Sequence, residues 1–172
     1  MLPLISFGLI ASVFFYSSYK YTGSSLLQNM KLLNSSQNIR YNGLDTKGRP
    51  FVVTSINGRE ISGNQILLHE PEAVLDLGEG AKVKLRGTQG IYDKLSKILL
   101  ISGNVHLNHT NGLNLMTSEA SIDLDKGTAQ NNVPVEGYNE SSTIRAQSFK
   151  ISDHGKNVLF QGQPELVIHP KK

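Results

Sequence analysis

The chain contains no cysteine, no tryptophan and no run of basic side chains. The first absence excludes disulfides, thiolate metal sites, a cysteine nucleophile and a lipidated cysteine. It leaves the compartment open, because a sheet with an adequate core needs no disulfide outside the cytosol. The formal charge of +3 is dispersed. The basic stripe with interleaved aromatics that marks a nucleic-acid binder is therefore missing, and no nucleic-acid partner is expected. Apolar residues make up 38% of the chain, below the globular norm. A sheet with one wetted face needs fewer of them than a two-layer α/β fold does.

Signatures of catalysis are lacking too. There is no G-x-S-x-G elbow. Gly78-Glu79-Gly80-Ala81-Lys82 has neither the Walker spacing nor a following helix, and reads as a hairpin turn. His106 and His109 are three apart, which on a strand points them to opposite faces and prevents a shared metal. Asp93 and Asp123 occupy equivalent positions before turns, so turn formation explains them better than paired acid–base work. The expectation is a protein with no catalytic residues, no metal and no cofactor, and not an enzyme. An envelope hydrolase is disfavoured on the same grounds.

What the chain does have begins with an uncharged apolar run, Leu2 to Tyr19. As a helix it would span about 27 Å, just short of a bilayer core. Tyr16, Tyr19 and Tyr21 gather at one end, where an interfacial belt lies. A cleaved signal peptide and a retained anchor compete for this segment. No Lys or Arg precedes the run and no A-x-A follows it, which favours the anchor. Residues 20–40 are rich in Ser, Asn and Gln, and read as a solvated linker or a short helical stalk. The expected organisation is an anchor helix over residues 1–20, a linker over 21–40 and a β domain over 41–172.

The β domain carries one pattern four times. Leu85, Leu115 and Ile144 anchor three copies, with Tyr92, Ile122 and Ile151 seven residues on and Leu99, Ala129 and Val158 fourteen on. A looser copy starts at Val53 and reaches Leu67. A period of about 30 residues marks units that bury their apolar faces on one another. Each unit supplies two strands. Leu99, Ile101, Gly103, Val105 and Leu107 alternate with more polar neighbours, as a half-buried strand does. Leu67, Pro71, Ala73 and Leu75 are placed on the same face. Parity slips at Thr88-Gln89, Ser118-Glu119 and Gln147-Ser148, as it does at a bulge or corner. Strands bent at matching places predict a continuous trough. Turns such as Asn111-Gly112 and Asp125-Lys126-Gly127 supply hairpin chemistry. The fold class is all-β, a sandwich, jelly roll or solenoid.

Gly43-Leu44-Asp45, Gly48-Arg49-Pro50-Phe51, Gly90-Ile91-Tyr92-Asp93, Ser102-Gly103-Asn104-Val105 and Pro134-Val135-Glu136-Gly137 resemble the LptC family in its alphaproteobacterial form. The resemblance runs from anchor through linker to β domain. It implies a twisted β-jelly roll of the OstA-like kind, built from repeated two-strand units and preceded by one N-terminal transmembrane helix. It also implies a place in the Gram-negative inner membrane, single-pass, with the C-terminal domain in the periplasm. Lipopolysaccharide would arrive from the LptB, LptF and LptG transporter and pass to LptA.

The inward parity then names Val53, Leu67, Val83, Leu85, Leu99, Ile101, Val105, Leu107, Leu115, Ile122, Ile144, Phe149, Ile151, Phe160 and Leu166 as candidate lipid-binding residues. Gly103 shares that parity, so an arginine there is expected to block the trough. Partner-docking edges are expected around Tyr41 and Phe51, and along a final strand from Val158 through Leu166 to Ile168 with Pro164 inside it. Two other readings stay open at this point. One is a tethered structural or adhesive β-solenoid that binds no ligand. The other is a soluble LptA-like carrier released by cleavage.

Overall fold

The computed structural model describes residues 35–153 and 155–169. The predicted anchor and most of the linker lie outside them. Among the described residues no helix is long and apolar enough to cross a membrane. All regular structure there is β. The strands are β1 (Ser35–Leu44), β2 (Pro50–Ser62), β3 (Gln65–His69), β4 (Glu72–Gly78), β5 (Ala81–Arg86), β6 (Gln89–Asp93) and β7 (Ile98–His109). They continue as β8 (Asn114–Asp123), β9 (Thr128–Gln130), β10 (Val135–Tyr138), β11 (Ser142–Ala146), β12 (Ser148–Ser152), β13 (Asn157–Gln161) and β14 (Glu165–Ile168). β1 begins inside the stretch read from sequence as linker.

One antiparallel sheet contains every strand, and it folds along a single line of corners. The long strands show this by changing partners midway. β2 pairs β4 through Phe51–Thr54 and β3 from Asn57 onward. β7 pairs β6 through Ile98–Ser102 and β5 through His106–His109. β8 pairs β10 in its first part and β9 in its last. One half of the folded sheet therefore runs β3-β6-β7-β8-β9-β12-β13, and the other runs β4-β5-β7-β8-β10-β11-β14. The architecture is that of a β-jelly roll.

The corners fall within one residue of the places read from the sequence. β5 gives way to β6 at Gly87-Thr88, burial parity flips inside β8 at Ser118-Glu119, and β11 gives way to β12 at Gln147. Return strands bend at left-handed residues: Glu70 (φ 50), Gly103 and Asn104 (φ 75 and 47), Gly162 and Gln163 (φ 78 and 53). A corner interrupts the ladder, and short polar side chains replace the lost bonds. Ser55 Oγ lies 2.6 Å from the carbonyl oxygens of Asn57 and His69. Buried Asn131 donates to Thr117 Oγ1 and the Val133 carbonyl, and its Oδ1 accepts from the Phe149 amide at 2.7 Å.

Three sequence readings need correction. Leu67 does not face inward: Ile66 and Leu68 are buried and Leu67 is half-buried on the outer face. Its corner takes a single left-handed residue, Glu70, which flips parity between Leu68 and Pro71, whereas the two-residue corners at Gly103-Asn104 and Gly162-Gln163 preserve it. Phe51 is not on an edge. β2 pairs on both sides, and the buried Phe51 ring packs beneath Gly43. The final strand is two strands, with Pro164 in the corner between β13 and β14 rather than within a strand.

Candidate functional site

The site is the apolar interior between the two halves. Val53, Val83, Leu85, Leu99, Ile101, Val105, Leu107, Leu115, Ile122, Phe149 and Ile151 are all buried there, on the parity read from the repeat. Sequence reasoning left out of its lining several others that the fold buries with them, including Ile66, Leu68, Leu77, Tyr92, Leu124 and Val135. The buried apolar residues form one contiguous cluster. Between Leu75, Leu77, Val83, Leu85 and Leu107 on one half and Ile122, Ala129 and Ile151 on the other lies a cavity of ≈ 20 Å³. That is room for about one water molecule.

The ends of the interior differ. At the β1 end, Tyr41 stacks obliquely on Tyr92 with ring centroids 5.4 Å apart, and Ile39 packs on the core beside them. Burial pushes the hydroxyl pKa of Tyr41 and Tyr92 up. At the opposite end the apolar lining runs out into the open. Ile144 pairs Leu166 and Ser142 pairs Ile168, so Leu166 and Ile168 continue the inward row of β11. Leu166 is 58% exposed and Ile168 70%, while Ile144, Val158 and Phe160 are half-buried. Phe160 of β13 reaches Gly137 of β10, closing the last part of the interior.

Among the described residues, the strands at both ends have unpaired sides: β1 pairs only β2, β13 only β12 and β14 only β11. Tyr41 therefore lies on an edge strand at one end, with Val158, Leu166 and Ile168 on edge strands at the other.

Polar groups serve the scaffold. Asp93 Oδ1 accepts from the amides of Leu95 and Ser96, and Asp123 Oδ1 accepts from those of Asp125 and Lys126. These equivalent turns make both carboxylates structural. The Ser96 amide holds the Asp93 carboxyl below its usual range. Burial would raise Asp123, but bonds from Lys126 outweigh it and hold that carboxyl low. His106 and His109 lie apart in function: His109 Nδ1 accepts from the Asn111 amide and burial lowers its pKa, while His106 points into grooves over the outer corners. Among the described residues no three His, Cys, Asp or Glu side chains gather in a way that could hold a metal.

A single antiparallel sheet, folded around an apolar interior that is exposed at one end and edged at both, among the described residues, by strands with an unpaired side, defines the chain as a β-jelly-roll protein. It belongs to the LptC family: the family described as lipopolysaccharide-assembly, LptC-related matches residues 3–164. Among curated proteins none matches it. Membership gives the chain a role in lipopolysaccharide transport, in a family of transport proteins rather than enzymes.

Proposed function

We propose that this chain is a membrane-anchored conduit that takes lipopolysaccharide from the LptB, LptF and LptG transporter and passes it to LptA. Residues 1–20 hold it in the inner membrane as a single-pass anchor, and the β domain works in the periplasm. The acyl chains travel between the two halves of the sheet, against the buried residues from Val53 to Ile151. They leave over Ile144, Phe160, Leu166 and Ile168. The unpaired side of β14 then pairs with the first strand of the next jelly roll, and β1 around Tyr41 pairs with the transporter.

One observation carries this reading: among the described residues, the apolar interior does not end at a polar cap but continues to an exposed rim beside a strand with one unpaired side. Each methylene moved from water into such a surface contributes about 0.8 kcal/mol, so the interior attracts acyl chains without a specific polar site. The test is photo-crosslinking in cells, with the probe at Leu107 on the inward face and separately at His106 on the outward face. Capture of lipopolysaccharide at Leu107 alone is the expected result. Capture at neither position would refute the conduit and leave a dry structural β protein.

A further inference from the structure

The turn between β1 and β2 is built more firmly than a hairpin turn needs. Asp45 Oδ1 accepts from the amides of Lys47 and Arg49, both at 2.8 Å. Its Oδ2 accepts from both Arg49 Nε at 2.8 Å and Nη2 at 2.6 Å, two charge-assisted bonds converging on one oxygen. Arg49 Nη1 donates to the Leu77 carbonyl, tying the turn to the end of β4. The turn is thus rigid and fastened to one half of the sheet.

From there it reaches the other half. The Thr46 amide and hydroxyl both donate to the Asp125 carbonyl, at 3.0 and 3.1 Å. Lys97 Nζ donates to the Leu44 carbonyl at 3.1 Å and pairs with the Asp125 carboxylate. Asp125 and Lys97 lie in the β8–β9 and β6–β7 turns, which belong to the half that carries β3 and β12. Two residues beyond Asp125, Gly127 lines the ≈ 20 Å³ interior cavity together with Leu77 and Gly155. There the halves meet by packing: a Cβ on Gly155 would sit 2.7 Å from Leu77 Cδ1 and 3.3 Å from His109 Nε2.

We infer that the β1–β2 turn is a clasp across the seam of the roll, and that its release from Asp125 and Lys97 admits acyl chains between the halves. The inference rests on the conduit reading. A cavity that holds one water cannot accept a chain unless the halves separate. On this side of the roll the clasp is a directional tie between them, and it stands next to the cavity. Its bonds are few and partly exposed, with Lys97 and Asp125 each about one-third accessible, so opening is a small local event. The placement also couples opening to the β1 edge, since Leu44 ends the strand proposed to face the transporter and Thr46 lies two residues beyond it.

The test uses the double variant Thr46→Cys/Asp125→Cys in the full chain, which otherwise has no cysteine. Reduced, it lacks the Lys97 partner; oxidised, the seam is locked. A photo-crosslinking probe at Leu107 reports capture of purified lipopolysaccharide. The expected result is rapid capture under reducing conditions and at least about tenfold slower capture after oxidation, restored by reductant. Lys97→Met, with a far-UV circular dichroism spectrum confirming the fold, is expected to capture faster than the parent. Equal rates in oxidised and reduced protein would overturn the clasp while leaving the conduit intact. An unchanged capture rate in Lys97→Met would overturn it as well. Absence of capture in the parent chain as well would defeat the conduit reading and the clasp with it.

Discussion

Leu99 and Leu100 are adjacent in β7, and truncating each to alanine tests the register of the whole roll. Leu99 is 0% exposed and Leu100 43% exposed. Leu99→Ala removes three carbons from a closed interior, which at about 0.8 kcal/mol per methylene costs roughly 2.4 kcal/mol of transfer free energy. The surrounding strands are held by ladders on both sides and relax little, so a cavity penalty adds to it and the total comes to about 3–4 kcal/mol. Leu100→Ala removes the same atoms from a half-wetted outer face, where no cavity forms, and costs about 1 kcal/mol. For a β domain of this size the difference appears as a Tm lowered by roughly 10–15 °C for Leu99→Ala against a few degrees for Leu100→Ala. Thermal unfolding of the two variants beside the parent, followed by circular dichroism, reads it directly. Similar shifts, or a larger one for Leu100→Ala, would refute the inward parity on which the trough depends.

Two further outcomes follow from the corners and turns. Gly103→Ala should cost about 2 kcal/mol, because φ is +75° and the new Cβ would lie 2.8 Å from Thr88 Cβ. Gly112→Ala, also left-handed but facing open space, should cost only about 1 kcal/mol, and equal denaturant midpoints would count against the Thr88 contact. Asp45, Asp93 and Asp123 all have carboxyl pKa values held low in the folded state. Their stabilisation is present above the unfolded value near 3.9 and is lost as pH falls below it. The Tm should thus be flat from about pH 7 to 5 and drop below about pH 4, with a smaller acid drop in Asp123→Asn. A drop that begins near pH 6 would point to histidine instead.

The value of φ at Gly103 also revises one sequence-based expectation. An arginine there would strain the corner before it could obstruct the trough, so a block in export would report the backbone and not the cargo. Leu107 and His106, on opposite faces of a regular stretch of β7, make cleaner probes.

How far the sequence could be read depends on the corner. Where a corner consumes two residues, as at Gly103-Asn104 and Gly162-Gln163, side-chain parity is conserved across it and simple alternation traces the interior correctly. Where it consumes one, as at Glu70, the alternation inverts, and Leu67 falls on the outer face instead of the inner one. The local composition gave no warning, since Ile66, Leu67 and Leu68 are all apolar and both faces of β3 look equally suited to burial. Nor did Asn131 announce itself. In a segment crowded with asparagine it reads as loop, yet it is the buried bridge that replaces ladder bonds at its corner.

The sequence alone determined the all-β class, the repeat of about 30 residues, the places where strands bend and the turn role of Asp93 and Asp123. These are legible because strand alternation, glycine turns and aspartate caps act over a few neighbouring residues. Only the tertiary structure decided which described strands end as edges, that Phe51 lies inside the sheet, that the packing between Leu77 and Ile122 leaves a cavity of only ≈ 20 Å³, and that Thr46 and Lys97 meet at Asp125. Those outcomes depend on how a twisted sheet folds back on itself, bringing together groups as distant in sequence as Thr46 and Asp125, and no local pattern records that meeting.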